Sequence, residues 1–206
     1  MIFLAAAFDL FDGLAARMLG VSSPIGKELD SLADVVSFGF VPGAILFKLL
    51  QANVGSVSEN EMVVRIIQFV PFIVTVFSAI RLAKFNIDTR QTDSFLGLPT
   101  PANTLLIISF PLILADDEFG LAKILLNPYF ILGISVLMSF LLVSKIPLFA
   151  LKFKNFYWRD NSYQFILVIT SAILFIAIKF AALPLIVFLY VLLSVAKSRL
   201  AAGNRQ

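Results

Sequence analysis

Residues 1–40 read MIFLAAAFDLFDGLAARMLGVSSPIGKELDSLADVVSFGF. Two apolar helical runs meet here at a short turn. The first reads through Arg17 and stops at Gly20, a residue suited to the position after a helix end. The second starts at Ser23-Pro24, where Ser caps the free N–H groups and Pro takes the first helical position without losing a bond. Each run carries a pair of acids, Asp9 and Asp12 in the first, Asp30 and Asp34 in the second. An ionisable group in an apolar helix costs several kcal/mol, so each of the four is a functional candidate.

The rest of the chain explains why these helices are read as membrane helices. Of 206 residues, 60% are hydrophobic and only 14% charged, and the mean hydropathy is +0.97. A soluble domain runs nearer half apolar and a quarter charged. A soluble enzyme, a disordered tail and an ordinary nucleic-acid binder are excluded on that ground. Apolar segments lie near 1–18, 32–50, 62–83, 101–115, 121–144, 163–180 and 183–197. At ~20 residues per crossing, the chain is expected to be an all-α, polytopic membrane helix bundle of about seven spans. Residues 1–206 are read as one integral membrane domain. The abrupt start at Met1-Ile2-Phe3-Leu4 leads us to expect an upstream helix missing from this sequence.

Basic residues orient the bundle. With the loop around Gly20 placed inside, the outer side holds only Lys48, Arg65, Lys123 and Lys179, and the other twelve Lys and Arg lie inside. That asymmetry obeys the positive-inside rule and places both acid pairs at the cytoplasmic face of the cell membrane. Residues 145–159, with Phe149, Phe153, Phe156, Tyr157 and Trp158 among lysines, read as a stretch lying on the anionic inner leaflet. The net charge of +3 follows this topology and is no nucleic-acid footprint.

The chain has no Cys and no His. Thiolate chemistry, a Ser-His-Asp relay and imidazole metal ligands are thereby removed. Any bound metal must be held by oxygen, which favours magnesium, manganese or calcium. At ~100° per residue, Asp9, Asp12, Gly13 and Ala16 share an arc of the first helix, and Gly26, Asp30 and Asp34 line a stripe of the second. A short turn makes the helices antiparallel neighbours, so the acidic stripes can face each other. Four carboxylates that close need a countercharge, and one or two divalent cations supply it. Small residues at 13, 16 and 26 open room for a ligand, and Arg17 stands where a diphosphate needs a cation. The plainer alternatives are helix packing at the small residues, and buried hydrogen-bonding or an ion path for the acids.

The pattern Asp9-x2-Asp12-Gly13-x2-Ala16-Arg17-x8-Gly26-x3-Asp30-x3-Asp34 resembles the signature of the CDP-alcohol phosphatidyltransferases at all eight fixed positions, over 26 residues. The resemblance implies two divalent ions, Mg2+ or Mn2+, with Asp9, Asp12 and Asp30 as principal ligands. Asp34 would lie near the second ion and act as the general base. Asp12, Gly13, Ala16, Arg17 and Gly26 would hold the CDP part. It also implies a homodimer, and the transfer of a phosphatidyl group from a CDP-linked lipid to an alcohol with release of CMP.

A second stretch bears on the alcohol. Residues 81–86, RLAKFN, and 95–102, FLGLPTPA, are similar to the bacterial CDP-diacylglycerol–serine O-phosphatidyltransferases. That implies serine as acceptor, with Arg81, Asn86 and Thr100 to bind it. The alternative is ordinary: inside-facing flank residues, then loop punctuation before a helix. Other expected readings are a family member acting on glycerol phosphate, inositol phosphate or an aminoalcohol, and, from another class, a divalent-cation transporter.

Overall fold

In the computed structural model of the chain, residues 11, 18, 23–87, 94–116, 119–151 and 157–203 are described. Helix α1 (Pro24–Asp34) runs without a break through a π-helical segment (Val35–Phe40) into α2 (Val41–Gln51). Helix α3 (Glu61–Ile67) joins α4 (Ile73–Ile87) through a 3-10 turn at Val70–Phe72. Then come strand β1 (Ser94–Leu96), α5 (Thr100–Asp116), a single turn α6 (Ala122–Leu125), α7 (Pro128–Val143) and strand β2 (Pro147–Phe149). Helices α8 (Trp158–Ile178) and α9 (Ala182–Gly203) close the chain.

Three continuous helical stretches among the described residues are long and apolar enough to cross a membrane: Pro24–Gln51, Glu61–Ile87 and Asn161–Leu200. Helices Thr100–Asp116 and Pro128–Val143 are apolar but shorter. The last long stretch is two helices. Lys179 takes φ 45°, a 3-10 turn follows, and α8 and α9 pack against each other across it.

Local signals explain most boundaries. Ser23 caps α1 by accepting from the Gly26 N–H at 3.0 Å, with Pro24 at the first helical position. Asn127 caps α7 in the same way, accepting from Tyr129 N at 2.9 Å, with Pro128 behind it. That cap breaks what the hydropathy pattern presents as one segment over 121–144 into α6 and α7. Among the described residues the chain is helical as expected, apart from one antiparallel ribbon in which Ser94 pairs with Phe149 and Leu96 with Pro147.

The core lies between α2, α4, α5 and α7, where Leu46, Leu50, Val74, Ile107, Ile131 and Leu142 are fully buried. Against it, α4 approaches the π segment and α2 along a seam of small residues. A Cβ on Gly39 would stand 3.0 Å from Ser78 Cβ, and one on Gly43 would stand 2.7 Å from Thr75 Oγ1. Thr75 Oγ1 donates to the Gly39 carbonyl at 3.0 Å across this seam. Close backbone approach through small residues is the main way helices associate where lipid is as apolar as leucine. Replacing Gly43 by Leu should force α4 away. We expect a loss of ~2 kcal/mol or more, by the cost of overpacking, read as a lower unfolding temperature in detergent.

Candidate active site

The site is built at the end of the bundle where α1 starts, α4 ends and α5 starts. Helix α1 presents Asp30 and Asp34 one turn apart. Asp30 is exposed and Asp34 half-buried. Gly26 lies at the exposed N-terminal turn, where a Cβ would come within 3.0 Å of Ser23 Oγ. Asp9, Asp12, Gly13, Ala16 and Arg17 lie outside the described residues.

Two contacts fix α1 against the end of α4. Lys27 Nζ donates to the Asn86 carbonyl at 3.2 Å, and Asn86 Nδ2 donates to Ser31 Oγ at 2.8 Å. Ser31 in turn donates to the Lys27 carbonyl at 3.1 Å. The Asn86 side chain is thus engaged in a helix clamp at Ser31, next to Asp30 and about one turn of α1 before Asp34. Arg81, about one and a half turns further up α4, is only 8% exposed. Its guanidinium lies 5.9 Å from the centre of the Phe85 ring. It is within Coulombic range of Asp34 from one side and of Tyr190 of α9 from another. Tyr190 Oη donates to the Phe149 carbonyl at 2.8 Å and so ties α9 to the ribbon.

Thr100 opens α5 and is buried. Its carbonyl accepts from Thr104 Oγ1 at 2.9 Å, and the same hydroxyl lies 3.1 Å from the Phe38 carbonyl of the π segment. The loop delivering Thr100 is held by backbone bonds from Gly97 N to Ile146 O at 3.0 Å and from Leu98 N to Leu141 O at 2.9 Å. Gly97 takes φ +78°, where L side chains are strained, and a Cβ there would collide with the Leu142 carbonyl oxygen. Glycine in residues 95–102 therefore has a backbone reason.

Asp34, Arg81 and Thr100 are thus brought to one end of the bundle, with Asn86 alongside. Sequence reading missed Tyr190, Ser78 and Asn103, which also face this region's helices from within. Ser78 shares a face with Arg81 at i, i+3, and Asn103 is a lone amide in an apolar run. Those were the available signals.

All the candidate donors are carboxylate oxygens, the type a hard divalent cation prefers. Among the described residues no group of three or more such side chains forms. The exposed Asp30 and half-buried Asp34 put two hard carboxylate donors on one helix face, a donor set that fits a divalent cation.

The model of the CDP-alcohol phosphatidyltransferase family matches residues 1–143. The chain belongs to this family. Among relatives of this phosphatidyltransferase, the CDP-diacylglycerol–serine O-phosphatidyltransferase of Helicobacter pylori (strain J99) is 33% identical over 177 residues, covering 84% of this chain and 68% of that protein. The protein of the same name from Bacillus subtilis (strain 168) is 32% identical over 138 residues, 61% of this chain and 69% of that one. A third, from Methanocaldococcus jannaschii, is 37% identical over 110 residues, 53% of this chain and 48% of that one. The family match spans residues 9–34 and 81–102, the two stretches that carry the candidate site residues.

Proposed function

We propose that this phosphatidyltransferase transfers the phosphatidyl group of CDP-diacylglycerol to the hydroxyl of L-serine, giving phosphatidylserine and CMP. One observation carries the reading. The signature acids Asp30 and Asp34 share a helical face whose inner end is within Coulombic range of Arg81, and Arg81 belongs to the stretch that suggests serine. The names of the Helicobacter, Bacillus and Methanocaldococcus relatives support the same acceptor.

The chain would cross the membrane about seven times: once with residues 1–18, then with Pro24–Gln51, Glu61–Ile87, α5, α7, α8 and α9. The site would open to the cytoplasm at the inner membrane, an orientation that the distribution of Lys and Arg supports. A homodimer is the expected assembly.

In the reaction, the lipid enters from the inner leaflet with its acyl chains in the bilayer. Asp34 accepts the proton of the serine hydroxyl. The freed oxygen forms a bond to the phosphorus bearing the diacylglycerol, and the bond from that phosphorus to the CMP oxygen breaks in line. Asp9, Asp12, Asp30 and Asp34 would hold two divalent cations, Mg2+ or Mn2+. When bound, these supply positive charge to the diphosphate and the departing CMP. Asp12, Gly13, Ala16, Arg17 and Gly26 would seat the CDP part. Arg81, always charged, gives the serine carboxylate a cation in a buried place. Asn86 and Thr100 complete the acceptor side.

The deciding experiment measures CMP release by the purified chain in liposomes containing CDP-diacylglycerol. Serine, glycerol 3-phosphate, inositol 1-phosphate and ethanolamine are offered in turn. Serine should give the fastest release, with phosphatidylserine as product, and a faster rate with another alcohol would overturn the acceptor. A second test is chelation. EDTA should reduce the rate at least 100-fold, and added Mg2+ or Mn2+ should restore it. An undiminished rate would remove the metal from the reading.

A further inference from the structure

Buried polar atoms without partners are rare in folded proteins, and inside a bilayer no water offsets their cost. Among the described residues five such atoms occur: Ser78 Oγ, Arg81 Nε, Asn103 Nδ2, Asn103 Oδ1 and Gln164 Oε1. Ser78 and Asn103 are fully buried. Four of the five atoms belong to α4 and α5, the helices on either side of the π segment that follows Asp34.

Ser78 departs from what serines do elsewhere in this chain. Buried Ser109, Ser135, Ser139 and Ser194 each donate to a carbonyl three or four residues back, at 2.5 to 2.7 Å. That is the ordinary fate of a serine in an apolar helix. Ser78 makes no such bond. Asn103 departs as well, because its neighbour Thr104 is satisfied by Phe38 and Thr100 while both of its own amide atoms are left over.

The packing places these two residues at one depth. Gly39 backs onto Ser78, and the Phe38 carbonyl faces Thr104, the residue after Asn103. Arg81 is about one turn nearer the site end than Ser78, Asp34 about one turn nearer than Phe38, and Thr100 about one turn nearer than Thr104. Asp34, Arg81 and Thr100 thus share one level of the bundle, and Ser78 and Asn103 lie about one turn deeper.

From this placement we infer that Asn103 and Ser78 are the floor of the acceptor pocket and select a small zwitterionic amino acid. The inference rests on the serine-transfer reading. The unpaired atoms match that ligand in kind. Arg81 Nε and Asn103 Nδ2 are donors for a carboxylate, and Asn103 Oδ1 and Ser78 Oγ are acceptors for an ammonium. A phosphorylated alcohol has no cation to give Asn103 Oδ1, so it would leave the floor unsatisfied. A site built to hydrogen-bond a group rejects analogues that lack it far more strongly than an apolar pocket can.

The test uses the whole chain in liposomes, with serine and CDP-diacylglycerol varied separately. N103L should raise the KM for serine at least tenfold and move the KM for CDP-diacylglycerol less than twofold. Its preference for serine over 3-hydroxypropanoate, which lacks the ammonium, should shrink by a similar factor. A purely structural asparagine would behave differently, since its loss would lower the unfolding temperature and weaken both substrates together. Here the unfolding temperature should hold or rise, because an apolar side chain of similar shape replaces two unpaired polar atoms. S78A, which deletes one hydroxyl, should raise the serine KM about threefold and serves even where N103L folds poorly. An unchanged serine KM in S78A, or a parallel loss of both substrates in N103L, overturns the inference while leaving serine transfer standing. Absence of serine-dependent CMP release from the unmodified chain overturns both.

Discussion

Asp34→Asn should lower serine-dependent CMP release by at least ~1,000-fold, while the chain still inserts and purifies as before. The change keeps size and shape and removes only the negative charge and the proton-accepting oxygen. General-base assistance is worth about 10²–10⁴ in rate, and loss of a carboxylate beside a cation adds to that. Asp34 is half-buried at the end of α1, beside Ser31 one turn earlier and the π segment after it, and within Coulombic range of Arg81, a cation that cannot act as a base. None of these supplies a substitute base, and the chain has no His or Cys to take over. Asp30→Asn should lower the rate and also raise the Mg2+ or Mn2+ concentration needed for half-maximal release. Asp34→Asn with more than a tenth of the original rate would remove Asp34 from the role of base. Asp30→Asn with an unmoved metal requirement would remove that residue from the ligand set.

Gly97→Ala should be the most damaging single change outside the acids. Two costs combine at this position. A side chain at φ +78° is strained by ~1–3 kcal/mol. The added Cβ would also meet backbone on the far side, the carbonyl oxygens of Leu142 and, at 3.0 Å, Ser144. Backbone cannot swing aside as a flexible side chain can. The ribbon of β1 and β2 must therefore shift, and with it the bonds that set Leu98 and Thr100 at the start of α5. The expected outcome is a fall of several degrees in unfolding temperature and a loss of activity exceeding tenfold, both measured in the same detergent. Gly55→Ala makes a fair control, because nothing lies within 4 Å of its added Cβ. Equal behaviour of the two variants would show that the loop tolerates displacement.

The sequence made these features legible to different degrees, and for physical reasons. The start of α1 was readable because Ser23 and Pro24 act on their own backbone within one turn. The common face of Asp30 and Asp34 was readable because spacing alone determines it. Positive-inside counting gives an expected orientation from the sequence alone because it needs no tertiary contact. The break before α7 was also written locally, in Asn127-Pro128, but the apolar run on either side masks it from hydropathy. The ribbon leaves no periodic signal, since three residues in each strand give a single alternation. Ser78 and Asn103 carried only faint signals, for another reason. A serine or an asparagine in an apolar helix looks the same whether its hydrogen bonds are made or not, and only the packed bundle shows which atoms are left over. The nearness of Arg81 to Tyr190 spans more than a hundred residues of chain and depends on how α9 returns to the core.

The six residues Val35–Phe40, wound as a π-helix directly after Asp34, work as a phase shifter. A π turn holds about one residue more than an α turn, so the acids sit roughly 100° out of step with where an unbroken α-helix would aim them. The Gly39–Gly43 seam can therefore keep its grip on α4 while the carboxylates are steered independently. A chain shortened by one residue between 35 and 40 could re-form a regular helix with its acids aimed as they are now, whereas the full-length chain wound as α throughout would turn them toward a different neighbour.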